Sequence, residues 1–394
     1  MRSYLLVAAV IIGATTALIG CSTLQRAVEI QSDLDGLTRS GVVGSIATLD
    51  DGTTTAVMTS GVPNRTNGDS IGKNDRVRIG SVTKTFTASL VLQLVAEGKV
   101  DLDAPIEQYL PGLLHGSDMD GSGTDGSGTD GSDMDGSGTD GSGTDGSGTD
   151  GSAITVRQLL QHRSGLPEFA GEPGADEWIA ANEDRTLTPS AAVAIALGKP
   201  AQFVPGTSFV YTNTNYIVLG MLVESVTGRS YADELQSRIL DPLDLEDTYL
   251  PAAGERDIRG DHLTGYQDLD GGLTDVSRTE PSIPWSAGAM VSTGTDLNAF
   301  WRALLDGQVV PAEQLAEMTT PQVGATEAEG LGYGMGVGAT ELPCGVTYTG
   351  HSGGIYGYYT LSGATPDRAF TVTLTSTPKD QPDTVAILSH ALCP

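Results

Sequence analysis

Strand-like segments stand at both ends of this chain and helical ones fill its middle, and that order restricts its fold more than any other feature. Val42 to Leu49 reads as a strand, Asp50-Asp51-Gly52 as a turn, and Thr53 to Met58 as the returning strand of a hairpin. Toward the other end, Val346 to Thr349, Tyr356 to Leu361 and Phe370 to Leu374 read as strands of an antiparallel sheet, and Asp383 to Leu392 as a terminal helix. In between, the period changes. After a short extended piece, Arg76 to Ile79, the residues Phe86, Leu90, Val91, Leu94 and Val95 recur at helical spacing from Ser81 until Gly98. Ile217, Val218, Met221 and Leu222 mark a helix over Thr214 to Val226, and Leu297, Phe300, Trp301 and Leu304 mark another from Thr295. Such a chain is expected to fold as an α/β (α+β) sandwich, an antiparallel sheet flanked by helices with a helical subdomain.

Two stretches stand apart from that pattern. Met1-Arg2 followed by the apolar run Tyr4 to Leu18 reads as an export signal over 1–20, too short for the roughly 20 residues of a spanning helix. Leu18-Ile19-Gly20-Cys21 closes it and is similar to the bacterial lipobox, so lipid on Cys21 and attachment to the outer face of the cell membrane are expected. A polar tether over 21–35 then leads to a domain over 36–394. The second stretch is an insert over 117–152 built on Asp-Gly-Ser-Gly-Thr units, with nine Asp and no Lys, Arg or aromatic residue. It cannot bury enough apolar surface to offset its chain entropy, so a disordered surface loop inside one domain is expected. Ile154 to Leu160 restarts regular structure, with Thr155 as N-cap.

Net charge is −29, which makes nucleic acid an improbable partner. Apart from Cys21, two cysteines remain, Cys344 and Cys393. In an exported chain an even number suggests one disulfide, with two buried thiols as the alternative. Two isolated cysteines and five scattered histidines offer no metal-ligand spacing.

Three segments carry chemistry. In Ser81-Val82-Thr83-Lys84 a helix starting at Ser81 puts Lys84 one turn on, on the same face, and the serine at the positive end of the helix dipole. A serine hydroxyl needs a base, and an amine shielded from water can take that role. Alone, Ser-x-x-Lys is as easily an N-cap and a solvated lysine. In Tyr211-Thr212-Asn213 the phenol beside a lysine can serve as general base. The glycines of Gly350-His351-Ser352-Gly353-Gly354 let a substrate backbone approach a strand closely. This last segment also fits the Gly-x-Ser-x-Gly nucleophile elbow with Ser352 as nucleophile, and Asp367 or Asp383 and then His390 follow in the right order. The residues after Ser352 read as a strand, whereas the elbow requires a helix, so that reading is rejected.

Taken in order, Val77 to Phe86, Leu160-Gln161-His162-Arg163-Ser164-Gly165-Leu166, Tyr211 to Tyr216 and Gly350 to Gly353 resemble the actinomycete serine D-alanyl-D-alanine carboxypeptidases and their class C β-lactamase relatives, the penicillin-binding serine hydrolases. The resemblance runs from about residue 36 to the end, apart from the insert. It implies a β-lactamase/transpeptidase-like fold and an acyl-enzyme on Ser81, with no cofactor. Lys84 and Tyr211 would share the proton traffic, Asn213 would bond the substrate amide, and His351 would flank the cleft. The N–H groups of Ser81 and Gly354 would form an oxyanion hole, Gly353 would admit the substrate backbone, and Trp285 would line the cleft or pack in the core. The implied substrates are a peptidoglycan-type peptide, a β-lactam or an ester. The resembling enzymes also carry cysteines at the places of Cys344 and Cys393.

The segment Gly336 to Cys344 departs from the carboxypeptidase pattern, because it lacks the arginine that binds a terminal carboxylate and carries Glu341 instead. Gly354 also stands where a hydroxyl residue is expected. Three functions therefore compete: a D-Ala-D-Ala carboxypeptidase, an esterase or β-lactamase on the same fold, and a non-catalytic envelope binding protein. Retention of Ser81, Lys84, Tyr211 and Asn213 argues against the last.

Overall fold

The computed structural model describes residues 25–66, 69–114, 154–322, 332–376 and 383–394. The expected export segment, Cys21 and the insert over 117–152 lie outside the described residues. Residues 25–39 form helix α1. Gly44–Asp50 (β1) and Thr55–Gly61 (β2) make the N-terminal hairpin. Val77–Arg78 (β3) leads through one 3-10 turn, Gly80–Val82, into α2, Thr83–Ala96. A helical layer follows: α3 (Val156–Leu160), α4 (Glu177–Asn182), α5 (Pro189–Leu197), α6 (Asn213–Thr227) and α7 (Tyr231–Leu235). Next come a small hairpin of β4 (Tyr266–Leu269) and β5 (Gly272–Asp275), the short α8 (Trp285–Gly288), β6 (Val291–Ser292), α9 (Gly294–Leu305) and α10 (Ala312–Thr319). The chain closes with β7 (Gly332–Tyr333), β8 (Gly338–Glu341), β9 (Thr347–Ile355), β10 (Tyr358–Ala364), β11 (Ala369–Leu374) and α11 (Thr384–Leu392).

Seven of these strands form one antiparallel sheet in the order β2-β1-β11-β10-β9-β8-β7. The two chain ends meet inside it, with Ser45 of β1 opposite Leu374 of β11. Both faces are covered, which is why every residue of β11 is buried. Phe370, Val372 and Leu374 pack in one cluster with Ile30 and Leu34 of α1 and Leu388 and Leu392 of α11. The alternate residues turn to α9, where Thr371 Oγ1 donates to Asn298 Oδ1 at 2.8 Å and Trp301 Nε1 donates to Ser362 Oγ at 2.8 Å. Beyond α9 lies the second core, centred on α2. That helix is buried on nearly all sides, from Thr83 through Leu92, so it carries no single apolar stripe.

Three expectations change here. The tether over 21–35 is helix α1 from residue 25, docked on the sheet, with Ile30 and Leu34 fully buried. Two apolar residues one turn apart suffice to anchor it, too few to register as a periodic run. Strand β9 continues through Ile355 rather than ending at Thr349, because its glycines pair with β10 in register: His351 faces Ser362 and Gly353 faces Thr360. Ser352 is therefore mid-strand, and the next element is β10 rather than a helix. His390 lies on the far side, 2.7 Å from Asp33, where it ties α11 to α1. Helix α6 begins at Asn213, one residue before the expected Thr214, because Thr212 caps it through a bond from Thr214 N at 3.3 Å.

The segments on either side of the insert belong to one core. Ile106 N donates to Ile154 O at 2.8 Å, and Thr155 caps α3 in a reciprocal box with Gln158. Cys344, just before β9, and Cys393, just after α11, are joined with their Cα atoms 5.9 Å apart.

Candidate active site

Ser81 sits in the 3-10 turn that opens α2, in a position set by glycines. Gly80 has φ +52°, and a β-carbon there would fall 2.9 Å from Gly354 O. A β-carbon on Gly353 would fall 2.0 Å from Ile79 O and 3.2 Å from Ser81 N. No side chain fits between β9 and this turn, so the backbone around Gly353 and Gly354 lies flush against the Ser81 N–H. This closeness suits an oxyanion hole drawn from Ser81 and Gly354, a feature worth about 3–4 kcal/mol per donor in serine enzymes.

Lys84 is fully buried, and its Nζ is held by groups on three different elements. Ser81 Oγ lies at 3.0 Å, Asn213 Oδ1 at 2.7 Å and Ala287 O at 2.8 Å. The last two can only accept. An amine that donates to both still has Ser81 Oγ within hydrogen-bond reach. As ammonium the lysine donates there; as free amine it offers its lone pair to the hydroxyl proton. The same geometry thus serves both halves of a proton transfer. Tyr211 stands beside it, with its ring centroid 4.9 Å from Lys84 Nζ.

Two supports behind these groups are not evident in the sequence. Glu168 Oε2 accepts from both Asn213 N at 2.7 Å and Asn213 Nδ2 at 3.1 Å. A carboxylate can only accept, so the amide must turn its oxygen to Lys84. One Nδ2 proton remains for a substrate carbonyl. The second support is His162, fully buried, with its ring stacked on Tyr211 at 4.2 Å. Its Nδ1 accepts from Thr212 N at 3.2 Å and from Asn215 Nδ2 at 3.1 Å. The proton is therefore on Nε2, which faces Tyr333 OH at 3.2 Å. Tyr333 OH in turn lies 3.3 Å from Nε2 of His351, whose Nδ1 donates to Ser352 O. Burial drives both imidazoles toward the neutral form, aided by the Lys84 charge: His162 is held well below its ordinary value and His351 is lowered to about 3.

The expected residues come together. Ser81, Lys84, Tyr211, Asn213, His351, Gly353 and Gly354 converge, with His351 a neutral, buried group beside Tyr211, ring centroids 6.3 Å apart. Of the two roles open to Trp285, the structure shows packing and not the lining of the Ser81 cavity. Its neighbours Ile283, Pro284, Ala287 and Gly288 line that cavity, while its own ring packs on Tyr231 at 5.3 Å and borders a separate pocket. Glu341 is exposed on β8 and away from this cavity. The cavity itself measures about 80 Å³, with Phe169, Ala170, Ile283 and Ile355 as apolar walls and Glu177 as its charged side chain.

Fold and site together define a serine hydrolase of the β-lactamase and penicillin-binding type. A family model described as Beta-lactamase matches residues 30–391, and the chain belongs to that family. It is 27% identical over 317 residues to Penicillin-binding protein 4 of Amycolatopsis lactamdurans, covering 76% of this chain and 72% of the relative. A D-stereospecific amidohydrolase from Streptomyces sp. superposes with a TM-score of 0.77 at 33% identity, covering 92% of this chain and 98% of that one. D-amino acid amidase from Ochrobactrum anthropi SV3, in complex with L-phenylalanine amide, gives 0.73 at 26% identity, covering 92% and 97%.

Proposed function

We propose that this chain is an exported acyl-serine amidohydrolase of the cell envelope that cleaves amide bonds next to D-residues in small peptides or amides of the peptidoglycan type. The observation that carries the reading is the placement of Lys84, whose Nζ donates to two pure acceptors and lies 3.0 Å from Ser81 Oγ. Ser81 Oγ adds to the carbonyl as its proton passes to the Lys84 and Tyr211 pair. The tetrahedral oxygen rests on the N–H groups of Ser81 and Gly354. The C–N bond then breaks, the leaving amine takes the proton, and water repeats the sequence to release the acid. The D-stereospecific amidohydrolase and the D-amino acid amidase, matched along nearly their whole length, support the substrate class.

The cavity bears on carboxypeptidase activity too. Recognition of a terminal carboxylate favours an arginine fork. Among the described residues lining the cavity there is no lysine or arginine, its one acid is Glu177, and His351 behind it is neutral. Free-acid D-Ala-D-Ala peptides are therefore expected to be poor substrates, and neutral amides, esters and β-lactams better acyl donors. The test is kcat/KM for a peptide ending in free D-Ala against its amide and methyl ester. A free acid that wins by about tenfold, 1.4 kcal/mol of transition-state preference, overturns this part of the reading.

Export is part of the same proposal. Cleavage before Cys21 and a lipid on its thiol would hold the domain at the outer face of the membrane, within reach of envelope peptides. Mass spectrometry of the native N-terminus decides it: an acylated Cys21 is expected, and an unacylated N-terminus elsewhere refutes it.

A further inference from the structure

Trp285 opens the one-turn helix α8 with φ +29°, a backbone conformation that bulky side chains avoid. The other non-glycine residues with positive φ among the described residues, His162, Asp184, Asp244 and Asp270, lie between +51° and +55°, inside the left-handed well. Trp285 lies outside it. Such strain persists only where the surroundings over-determine the conformation, and it gathers at functional sites. The surroundings do so here. The ring meets that of Tyr231 edge-on, centroids 5.3 Å apart, and lies so close to α6 that a β-carbon at Gly220 would fall 2.9 Å from its Cζ3. Trp285 N donates to Pro281 O at 3.0 Å, and Trp285 O accepts from Ala289 N at 2.9 Å.

The next two carbonyls of this turn both face α2. Lys84 and Thr87, one turn apart on one face of that helix, donate to Ala287 O at 2.8 Å and to Ser286 O at 2.6 Å. Ser286 O can only accept, so Thr87 Oγ1 gives its proton there and takes one from Tyr231 OH at 2.7 Å. Tyr231 thus grips the turn twice, by its ring at Trp285 and, through Thr87, at Ser286. Ser286 Oγ donates to Tyr216 O at 2.8 Å and ties the turn to α6. Ala287 has only a methyl side chain, so its neighbours decide where its carbonyl points.

We infer that Trp285 is a positioning residue for acyl transfer: the strained turn it locks aims the Ala287 carbonyl at Lys84 Nζ and so holds that amine 3.0 Å from Ser81 Oγ. The ring acts from outside the Ser81 cavity, through the backbone of α8. This rests on the reading of Lys84 as the group that takes the Ser81 proton. Misplacing such a group by one ångström slows a reaction about a hundredfold.

The experiment follows acylation of Ser81 in the full chain by a chromogenic β-lactam, well below the Tm of each variant, and separates the saturating rate from the half-saturating concentration. Trp285→Gly removes the ring and relaxes the backbone. It is expected to lower the saturating rate by about tenfold to a hundredfold with the half-saturating concentration unchanged. A role confined to packing would lower Tm and leave the rate of the folded protein alone. Trp285→Phe keeps a ring against Tyr231 and should keep most of the rate. Gly220→Ala reaches the same turn from the other side: alanine favours helix α6, yet its β-carbon crowds Trp285 and Ser286, so acylation should slow in the same sense. A folded Trp285→Gly that acylates at the wild-type rate overturns the inference and leaves Ser81 and Lys84 in their roles. So does a loss that lies in the half-saturating concentration, or a Trp285→Phe as slow as Trp285→Gly. If Trp285→Gly does not fold, a wild-type saturating rate in Gly220→Ala overturns it. A wild-type chain that never acylates Ser81 removes both the inference and the reading beneath it.

Discussion

Glu168 fixes which way Asn213 faces. By accepting from both Asn213 N and Asn213 Nδ2 it leaves only the amide oxygen for Lys84 Nζ, 2.7 Å away. In Glu168→Gln the new amide can donate as well as accept, and the Asn213 orientation is no longer forced. The rate of Ser81 acylation is expected to fall about tenfold to a hundredfold, the worth of a hydrogen bond to a charged group. Because Glu168 acts through Asn213, the double variant with Asn213→Ala should be little slower than Asn213→Ala alone. Additive losses would show that Glu168 acts by another route.

The adjacent glycines of β9 should respond in opposite ways. A β-carbon at Gly353 lands 2.0 Å from Ile79 O, whereas one at Gly354 meets nothing within 4 Å. Gly353→Ala must push β9 off the Ser81 turn, at about 1–3 kcal/mol of stability and with loss of most acylation. Gly354→Ala keeps its N–H and should stay within about 0.5 kcal/mol of wild type. Thermal melts with acylation rates on both variants check this. Equal behaviour would mean that the close approach does not set the oxyanion hole.

Much of this architecture is legible in the sequence where one residue type determines one geometry. The Ser81 to Lys84 spacing, the hairpin around Gly52 and the strands near the end all follow from local pattern. What escapes is whatever depends on contacts distant in the chain. Helix α1 is held by Ile30 and Leu34 against strands more than three hundred residues away, and two apolar residues make no detectable period. Tyr333 on a two-residue strand, Glu168 in a loop and the carbonyl of Ala287 have no local signature at all. His162 lay within a motif that carried the resemblance, yet its tautomer follows only from Thr212 and Asn215 closing on Nδ1.

The buried imidazoles predict how stability varies with pH. His351 is lowered to about 3 in the folded chain, while an unfolded histidine titrates near about 6.5. As pH falls below that unfolded value, the unfolded chain takes up a proton that the native site refuses, so the stabilisation present at neutral pH is progressively lost toward pH 3. His351→Gln should flatten the fall in Tm between pH 7 and pH 4.5 relative to wild type, with about that range set by the same two values. A slope identical to that of wild type would mean that His351 is charged or exposed in the native protein.

The bond between Cys344 and Cys393 pins α11 to the strand beside the active site, across a sequence separation of 49 residues. Its removal in Cys344→Ser/Cys393→Ser is expected to cost about 2–4 kcal/mol of stability, with acylation of the folded protein unaffected. Alkylation of both thiols in unreduced, unfolded protein would show that the bond does not form.

The central claim is that Ser81 is the nucleophile and that Lys84 and Asn213 are arranged around it for acyl transfer. Peptide mapping by mass spectrometry after a short incubation with a β-lactam or p-nitrophenyl acetate tests it most directly. The acyl mass is expected on the peptide that contains Ser81, absent in Ser81→Ala and retained in Ser352→Ala. An acyl group that persists in Ser81→Ala and disappears in Ser352→Ala would contradict the account.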